Sequence, residues 1–301
     1  MKPSTAALAG ALLARLALTG VLAAQAPPSA ITLRPTPALP LKGTVAWLAV
    51  EPASAAPGDT LLGVEGEAAG EPLHFTPATP GYAALLGVPL EGDDSLDVTL
   101  RLDWPGRTDT TRVRLALARP ELRAEKLRVA PAMASPDSAA RARIERELAR
   151  SREVSRRSHD TPRLWSNSFR LPRPSRITSV YGTAREYNGQ ITSRHLGTDF
   201  AGALGAPVRA AGRGVVALVA HFYLAGRAVY LDHGGGLVTG YFHLSRIDVA
   251  EGDTVAAGQP IGAVGRSGRV TGPHLHWIAR YGTITVDPMS LVRLERAMAD
   301  R

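Results

Sequence analysis

Cysteine is absent from the 301 residues. Its absence excludes disulfides, thiolate catalysis and thiolate-held metal, so any metal centre must be built from His, Asp or Glu. Histidine is itself scarce, with eight in the chain, and three of them (His243, His274 and His276) fall close together near the C-terminus. Aromatic residues make up only 5% of the sequence. None is interleaved with the arginine-rich stretch at 135–157, so the base-stacking platforms of nucleic-acid binders are missing and no nucleic-acid partner is expected. Long apolar runs are confined to the first 26 residues. Arg15 splits them into Ala6–Ala14 and Leu16–Ala26, each short of the ~20 residues a spanning helix needs. The glycine-rich loop Gly265-Arg266-Ser267-Gly268-Arg269 lacks the Gly-Lys-Ser/Thr of a phosphate-binding loop. A mobile groove wall is the better expectation for it, with Arg266 and Arg269 placed to meet substrate carboxylates.

What is present is enough for a folded protein. Hydrophobic residues make up 45% and charged residues 21%, a balance that supports a buried core and two domains. Lys and Arg number 35 against 27 Asp and Glu, a net charge of +8, which favours anionic partners. Lys2, the apolar stretch after it and the small-x-small triplet Ala24-Gln25-Ala26 read as an export signal over 1–26. Pro27 disfavours cleavage after Ala26, and Ala24 is the alternative. Uncleaved, the segment would be an N-terminal membrane anchor. Either way the protein is expected outside the cytoplasm, in the periplasm or cell envelope, or secreted.

Residues 27–42, rich in Pro, Ala and Thr, read as a linker. Over 43–120 the period becomes two. Leu96, Val98, Leu100 and Leu102 alternate with polar residues, as do Val113, Leu115 and Leu117, and turn residues separate the runs. This predicts a small immunoglobulin-like β-sandwich. His74, within it, reads as an ordinary strand residue. Residues 121–167 read as a helical linker. Its helix would span 135–157, capped by Ser135 with Pro136 in the first turn and with Ala140, Ile144 and Leu148 on one face. His159 follows as a solvated residue. From 168 to 294 short β-branched runs and dense glycine predict a second antiparallel β domain, with a hairpin at Asp232–Gly236, and 295–301 form a tail. The fold class is therefore mainly β, two β domains joined by a helix.

The chemistry concentrates in the second domain. His195 and Asp199 are four apart, and an even spacing on a strand puts both on one face. His274 and His276 likewise share a face and leave Leu275 and Trp277 on the other. Two adjacent imidazoles fill a core poorly, because each needs polar partners once buried. They make sense if one binds a metal and the other faces a substrate. His243, in Tyr241-Phe242-His243-Leu244, would end the strand returning from the hairpin. Three such protein ligands would leave the fourth position of a zinc ion open, as in catalytic sites. His233 beside Asp232 reads as turn-stabilising.

These motifs resemble the lysostaphin/LytM-type zinc endopeptidases, whose pattern is H-x-x-x-D, a His in Y-x-H-L, and H-x-H. The resemblance covers roughly 168–292 and extends to Ile177-Thr178-Ser179-Val180-Tyr181-Gly182 and Thr271-Gly272-Pro273-His274-Leu275-His276-Trp277. It implies a compact antiparallel β fold (a barrel-sandwich hybrid), one Zn2+ per chain on His195, Asp199 and His276, catalytic roles for His243 and His274, and bacterial peptidoglycan peptide as substrate. Two positions depart from the pattern: Ile278, where an acidic residue often follows the aromatic, and Phe242, which would narrow the groove. A non-catalytic wall-binding regulator is the alternative. A carrier-type β fold, suggested by Val255–Gly262, lacks a lysine at its hairpin tip.

Overall fold

The computed structural model describes residues 31–53, 60–166 and 169–299. The expected export signal lies outside them. No helix among the described residues is long and apolar enough to cross a membrane.

The N-terminal part contains β1 (Ile31–Thr36), β2 (Val45–Pro52), β3 (Gly63–Ala68), β4 (Glu71–Leu73), β5 (Thr76–Pro77), β6 (Tyr82–Gly87), β7 (Ser95–Trp104) and β8 (Arg107–Ala116). They form two four-stranded sheets, ordered β1-β2-β6-β5 and β4-β3-β7-β8. β1 falls inside the stretch expected to be a linker and pairs along its whole length with β2. Backbone pairing there needs no alternating pattern, which is why proline-rich composition concealed it.

The two sheets differ in burial. β7 alternates, with Val98, Leu100, Leu102 and Trp104 inward, as expected of a sheet with one solvated face. In β2 the run Val45–Val50 is buried at every position. One face of that sheet meets the partner sheet and the other meets the C-terminal domain. Trp47 lies 6.0 Å from Trp165, the backbone N–H of Val45 donates to Ser290 Oγ at 3.1 Å, and Gly87 sits against the ring of Tyr281 with no room for a Cβ. A continuous apolar strand here marks a domain interface, and burying large aromatic surface in it stabilises the docking by several kcal/mol, at ~25 cal/mol per Å2 of apolar area.

The connector holds more than a helix. β9 (Ala124–Leu127) comes first, then a single turn α1 (Pro131–Ala134), then α2 (Ser138–Arg157) and a 3-10 turn at Ser158–Asp160. The N-cap of α2 is Asp137, whose side chain accepts from the Ala140 N–H at 2.8 Å. Ser135 instead closes α1 through a bond from its N–H to Pro131 O. Arg156 and Arg157 in the last turn of α2 suit the negative end of its dipole. α2 packs on the second domain: Glu147 accepts from the backbone N–H of Tyr223 at 2.7 Å, and Ser151 and Ser155 are buried.

The second domain contains β10 (Ile177–Ser179), β11 (Ala184–Tyr187), β12 (Gln190–Arg194), β13 (Thr198–Ala201), β14 (Pro207–Arg209), β15 (Gly214–Phe222), β16 (Gly226–Gly234), β17 (Leu237–Ile247), β18 (Thr254–Val255), β19 (Pro260–Val264), β20 (His274–Tyr281) and β21 (Ile284–Val286), followed by α3 (Pro288–Ala299). The main sheet runs β10-β13-β20-β17-β16-β15-β18, and β14, β19 and β21 pair at its sides. A separate small sheet, β12-β11-β9, brings the connector strand β9 alongside β11 in parallel. The β16–β17 turn carries Gly234, Gly235 and Gly236, all at positive φ, a conformation open to glycine and costly for other residues. The chain is mainly β, as its sequence predicts.

Candidate metal centre

Register places the site. On β20, His274 and His276 share a face, and Asp199 of the neighbouring β13 lies directly opposite His276. His195 precedes β13 and swings over the same face. His195 Nε2, Asp199 Oδ1 and His276 Nδ1 form a triangle with edges of 3.0, 2.9 and 2.7 Å. Among the described residues they are the group that can hold a metal ion. Gly197 is required by space: a Cβ there would meet His276 Cε1 at 2.6 Å.

His243 reaches the site through a backbone irregularity. Strict alternation would put it on the face of Tyr241, whose hydroxyl accepts from the Ala211 N–H on the far side. Between the pairs Val229↔Tyr241 and Arg227↔Leu244, β17 carries one residue more than β16, and His243 sits at φ 62°. Such a bulge re-aims a side chain, at a backbone cost of about 1–3 kcal/mol for a non-glycine residue. The His243 ring comes to lie 4.8 Å from His274 and 5.8 Å from His276. The strand continues past it to Ile247, so His243 is inside the strand and does not end it.

Each ring is oriented through its other nitrogen. His195 Nδ1–H lies 3.0 Å from both Val180 O and Ser179 Oγ, which turns Nε2 to the triangle. His243 Nδ1–H donates to Ser267 O at 2.8 Å and His274 Nδ1–H to Gly272 O at 2.9 Å, leaving each Nε2 an acceptor. His274 Nε2 is 3.8 Å from Asp199 Oδ1. Burial, partly offset by Asp199, lowers His276 to about 4. Burial and then the neighbouring His276 and His274 hold His243 well below its ordinary value. Both are therefore neutral near pH 7, the state in which imidazole ligates a metal or accepts a proton. For Asp199, burial pushes the carboxyl up, but His276 and the hydrogen bonds from His195 and His276 outweigh it and hold the group well below 3.8. A buried, ionised oxygen donor with two imidazole nitrogens is a set that suits a borderline divalent ion such as zinc.

Three supporting residues carry no signal in the sequence. Arg185 on β11 donates to Asp199 Oδ2 at 2.6 Å and fixes the carboxylate so that Oδ1 faces the imidazoles. Ser179 Oγ accepts from Arg185 at 3.2 Å and donates to Glu125 Oε2 at 3.0 Å. Glu125 comes from β9, and only the parallel β9–β11 pairing brings it here. Such outer partners orient metal ligands and set their basicity.

The centre lies where two cavities meet. One, of about 320 Å3, exposes His195, His243 and His276 and is walled by α2. The other, of about 290 Å3, exposes Asp199 and His274. Phe242 and Ile278, the two departures from the motif pattern, pack together in one buried cluster and give the first cavity an apolar floor. The 265–269 loop, expected to be mobile, is tied down: Ser267 Oγ accepts from the Arg227 N–H and donates to Leu244 O, and the Arg269 N–H donates to Leu224 O. Arg266 is exposed, and Arg269 stacks 4.3 Å over the Tyr187 ring.

The remaining histidines lie outside the centre. His233, expected at a turn, is fully buried in β16, where its Nδ1–H donates to Arg213 O at 2.7 Å and its Nε2 pairs with Thr239 Oγ1 at 2.7 Å. His159, expected to be solvated, is wedged between domains, 2.9 Å from Glu71 and 2.8 Å from His74. His74 thus has a partner 85 residues away and lies just outside β4. His221 is exposed on β15.

Comparison with known proteins agrees with the motifs. Residues 193–288 match the model for Peptidase family M23. The peptidoglycan DD-endopeptidase ShyA of Vibrio cholerae is 49% identical over 105 residues, 34% of this chain and 24% of that protein. The DD-carboxypeptidase/endopeptidase Mpg of Neisseria meningitidis is 40% identical over 117 residues, 39% of this chain and 27% of that protein. The chain thus spans about a quarter of the length of these curated relatives. A solved Pseudomonas aeruginosa structure described as a peptidase M23 superposes over 84% of this chain and 94% of its own, with a TM-score of 0.62 at 27% identity. The similarity to peptidase family M23 thus falls on the C-terminal domain, over the residues that carry the metal centre.

Proposed function

We propose that the protein is a zinc-dependent endopeptidase acting outside the cytoplasm on peptide bonds of bacterial peptidoglycan stems or cross-links. His195, Asp199 and His276 would hold the ion, and His243 and His274 would be the catalytic residues. The convergence of three donor atoms within 3.0 Å of one another at the junction of two open cavities is the observation that carries this reading. The similarity to named peptidoglycan endopeptidases supports the substrate. When bound, zinc would supply Lewis acidity, polarising a carbonyl and making a water more acidic.

The chain's own groups do the rest. Arg185 holds the Asp199 carboxylate aimed. His243 and His274 each present an Nε2 lone pair toward the cleft. One of them accepts the proton of the attacking water, and the same nitrogen then gives it to the departing amine, general acid–base help worth ~10²–10⁴-fold. Their rings are 4.8 Å apart. Incubation of the zinc-loaded protein with purified peptidoglycan, followed by mass spectrometry of released fragments, tests the reading. New amino termini within stems or cross-links are the expected result. Wall binding without zinc and without released peptides would instead mark a non-catalytic regulator.

A further inference from the structure

The cavity beside α2 holds a cation that nothing in the hydrolytic centre uses. β20 carries His274, His276, Ile278 and Arg280 on one face, so Arg280 looks into the same groove as the donor atoms and lines its α2 branch. Four residues separate it from His276, about 13 Å at the ~3.3 Å rise of a strand. Two other arginines of the groove have counter-ions, and a third, Arg269, stacks on the Tyr187 ring. Arg185 is paired with Asp199 at 2.6 Å and Arg194 with Glu91 at 2.6 Å. Arg280 is not paired in this way. Its Nη1 donates to Ser151 Oγ at 3.2 Å and Ser155 Oγ at 3.5 Å, and among the described residues no carboxylate forms an ion pair with it. The hydroxyls occupy donor positions but leave the charge uncompensated. Burial pulls the guanidinium pKa down from its ordinary value, with Tyr230 partly opposing. Holding an unpaired guanidinium in such a place is unfavourable. Linking α2 to β20 could be done without that charge.

The surroundings point to the ligand. Leu148, Phe222, Phe242 and Ile278 line the same branch, and Glu147 on its wall is taken up by Arg143 and the Tyr223 N–H, so a mostly apolar trough ends at one half-buried cation. A trough of this kind fits an extended arm with a terminal or side-chain carboxylate, which a guanidinium can take in a bidentate bond. We propose that Arg280 binds a free carboxylate of the wall peptide, about 13 Å along the groove from the reacting carbonyl. The proposal rests on the hydrolase reading and deepens it, since it assigns the groove a preference for acidic over amidated wall peptides.

Soluble stem peptides in which each free carboxylate is converted in turn to the carboxamide provide the test. For one position, the wild-type protein should prefer the acid by at least about tenfold in kcat/KM, mostly through KM, the size expected for a charge-assisted hydrogen bond. Arg280→Gln should bring that ratio close to one while leaving turnover of the amide nearly unchanged, and Arg280→Lys should restore part of it. Equal hydrolysis of every acid and amide pair by the wild type would overturn the assignment without touching the hydrolase reading. A preference surviving in Arg280→Gln would move the role to another cation, Arg269 being the next in the groove. An equal loss on both substrates would reduce Arg280 to a staple for α2. If no wall peptide is cleaved at all, calorimetric binding of the acid and amide peptides to wild type and Arg280→Gln still decides the assignment.

Discussion

Two histidine–carboxylate clusters can be set side by side. In the C-terminal domain, His195, Asp199 and His276 point three atoms at one spot. At the interface with the N-terminal domain, Glu71, His159 and His74 form a line: Glu71 Oε2 to His159 Nε2 at 2.9 Å, then His159 Nδ1 to His74 Nε2 at 2.8 Å. Both nitrogens of His159 are consumed, and the second oxygen of Glu71 accepts from the Thr283 N–H and hydroxyl. Each donor in the line has its acceptor, so the cluster is complete with protons alone. The converging cluster is not, because donor atoms crowded around one point are satisfied by a cation. Residue type and burial are alike in the two places. Geometry separates a ligand set from a strut.

The contrast can be broken most directly at His276. His276→Ala should reduce metal content, read by plasma mass spectrometry, from one ion per chain to almost none, and hydrolysis to background. His159→Ala should leave both intact. His274→Ala is next in size: the ion stays while kcat falls ~10²–10⁴-fold, and full turnover in that variant would remove His274 from the mechanism. Arg185→Gln should weaken metal affinity ~10–100-fold in a chelator competition, with activity largely recovered at saturating zinc. The smallest effect belongs to the strut. His159→Ala strands the Glu71 carboxylate and should cost ~1–3 kcal/mol of stability in urea unfolding. The same cluster gives a pH dependence. Burial, and then His159, hold His74 below 6.5. Its contribution is complete above the unfolded value of 6.5 and declines as pH falls below it. A His74→Gln variant should show a flatter stability profile between pH 7.5 and 5.

How much could be read from the residue string depended on distance along the chain. The same-face placement of His274 with His276 needs only strand alternation, a local rule, and so it was readable. His195 and Asp199 follow from the same rule plus one turn. His243 was legible as a candidate, but its route into the site was not, because a bulge is set by pairing with β16 and leaves no mark in four residues. Ser179, Arg185 and Glu125 reach one another only through β10, β11 and β9, and β9 sat unseen in a stretch read as helical linker. The burial of His159 had the same cause: its partners come from β4 and from the loop before β5. In the N-terminal domain, the alternation of β7 and β8 identified the outer sheet. The uniformly apolar β2 gave no period because two different partners cover its two faces.

The strand β9 also bears on how the protein can be handled. The family match begins at residue 193, downstream of Ser179, Arg185 and the whole of β11. A truncated protein started there would carry every donor atom but lack Ser179, Arg185 and Glu125, which help to aim them. One started at 168 would keep Arg185 but leave the flank of β11 bare and Ser179 without its acceptor. The smallest portable unit that keeps the centre with its supports therefore begins upstream of Ala124, and the polypeptide that ties the two halves together is itself part of the site.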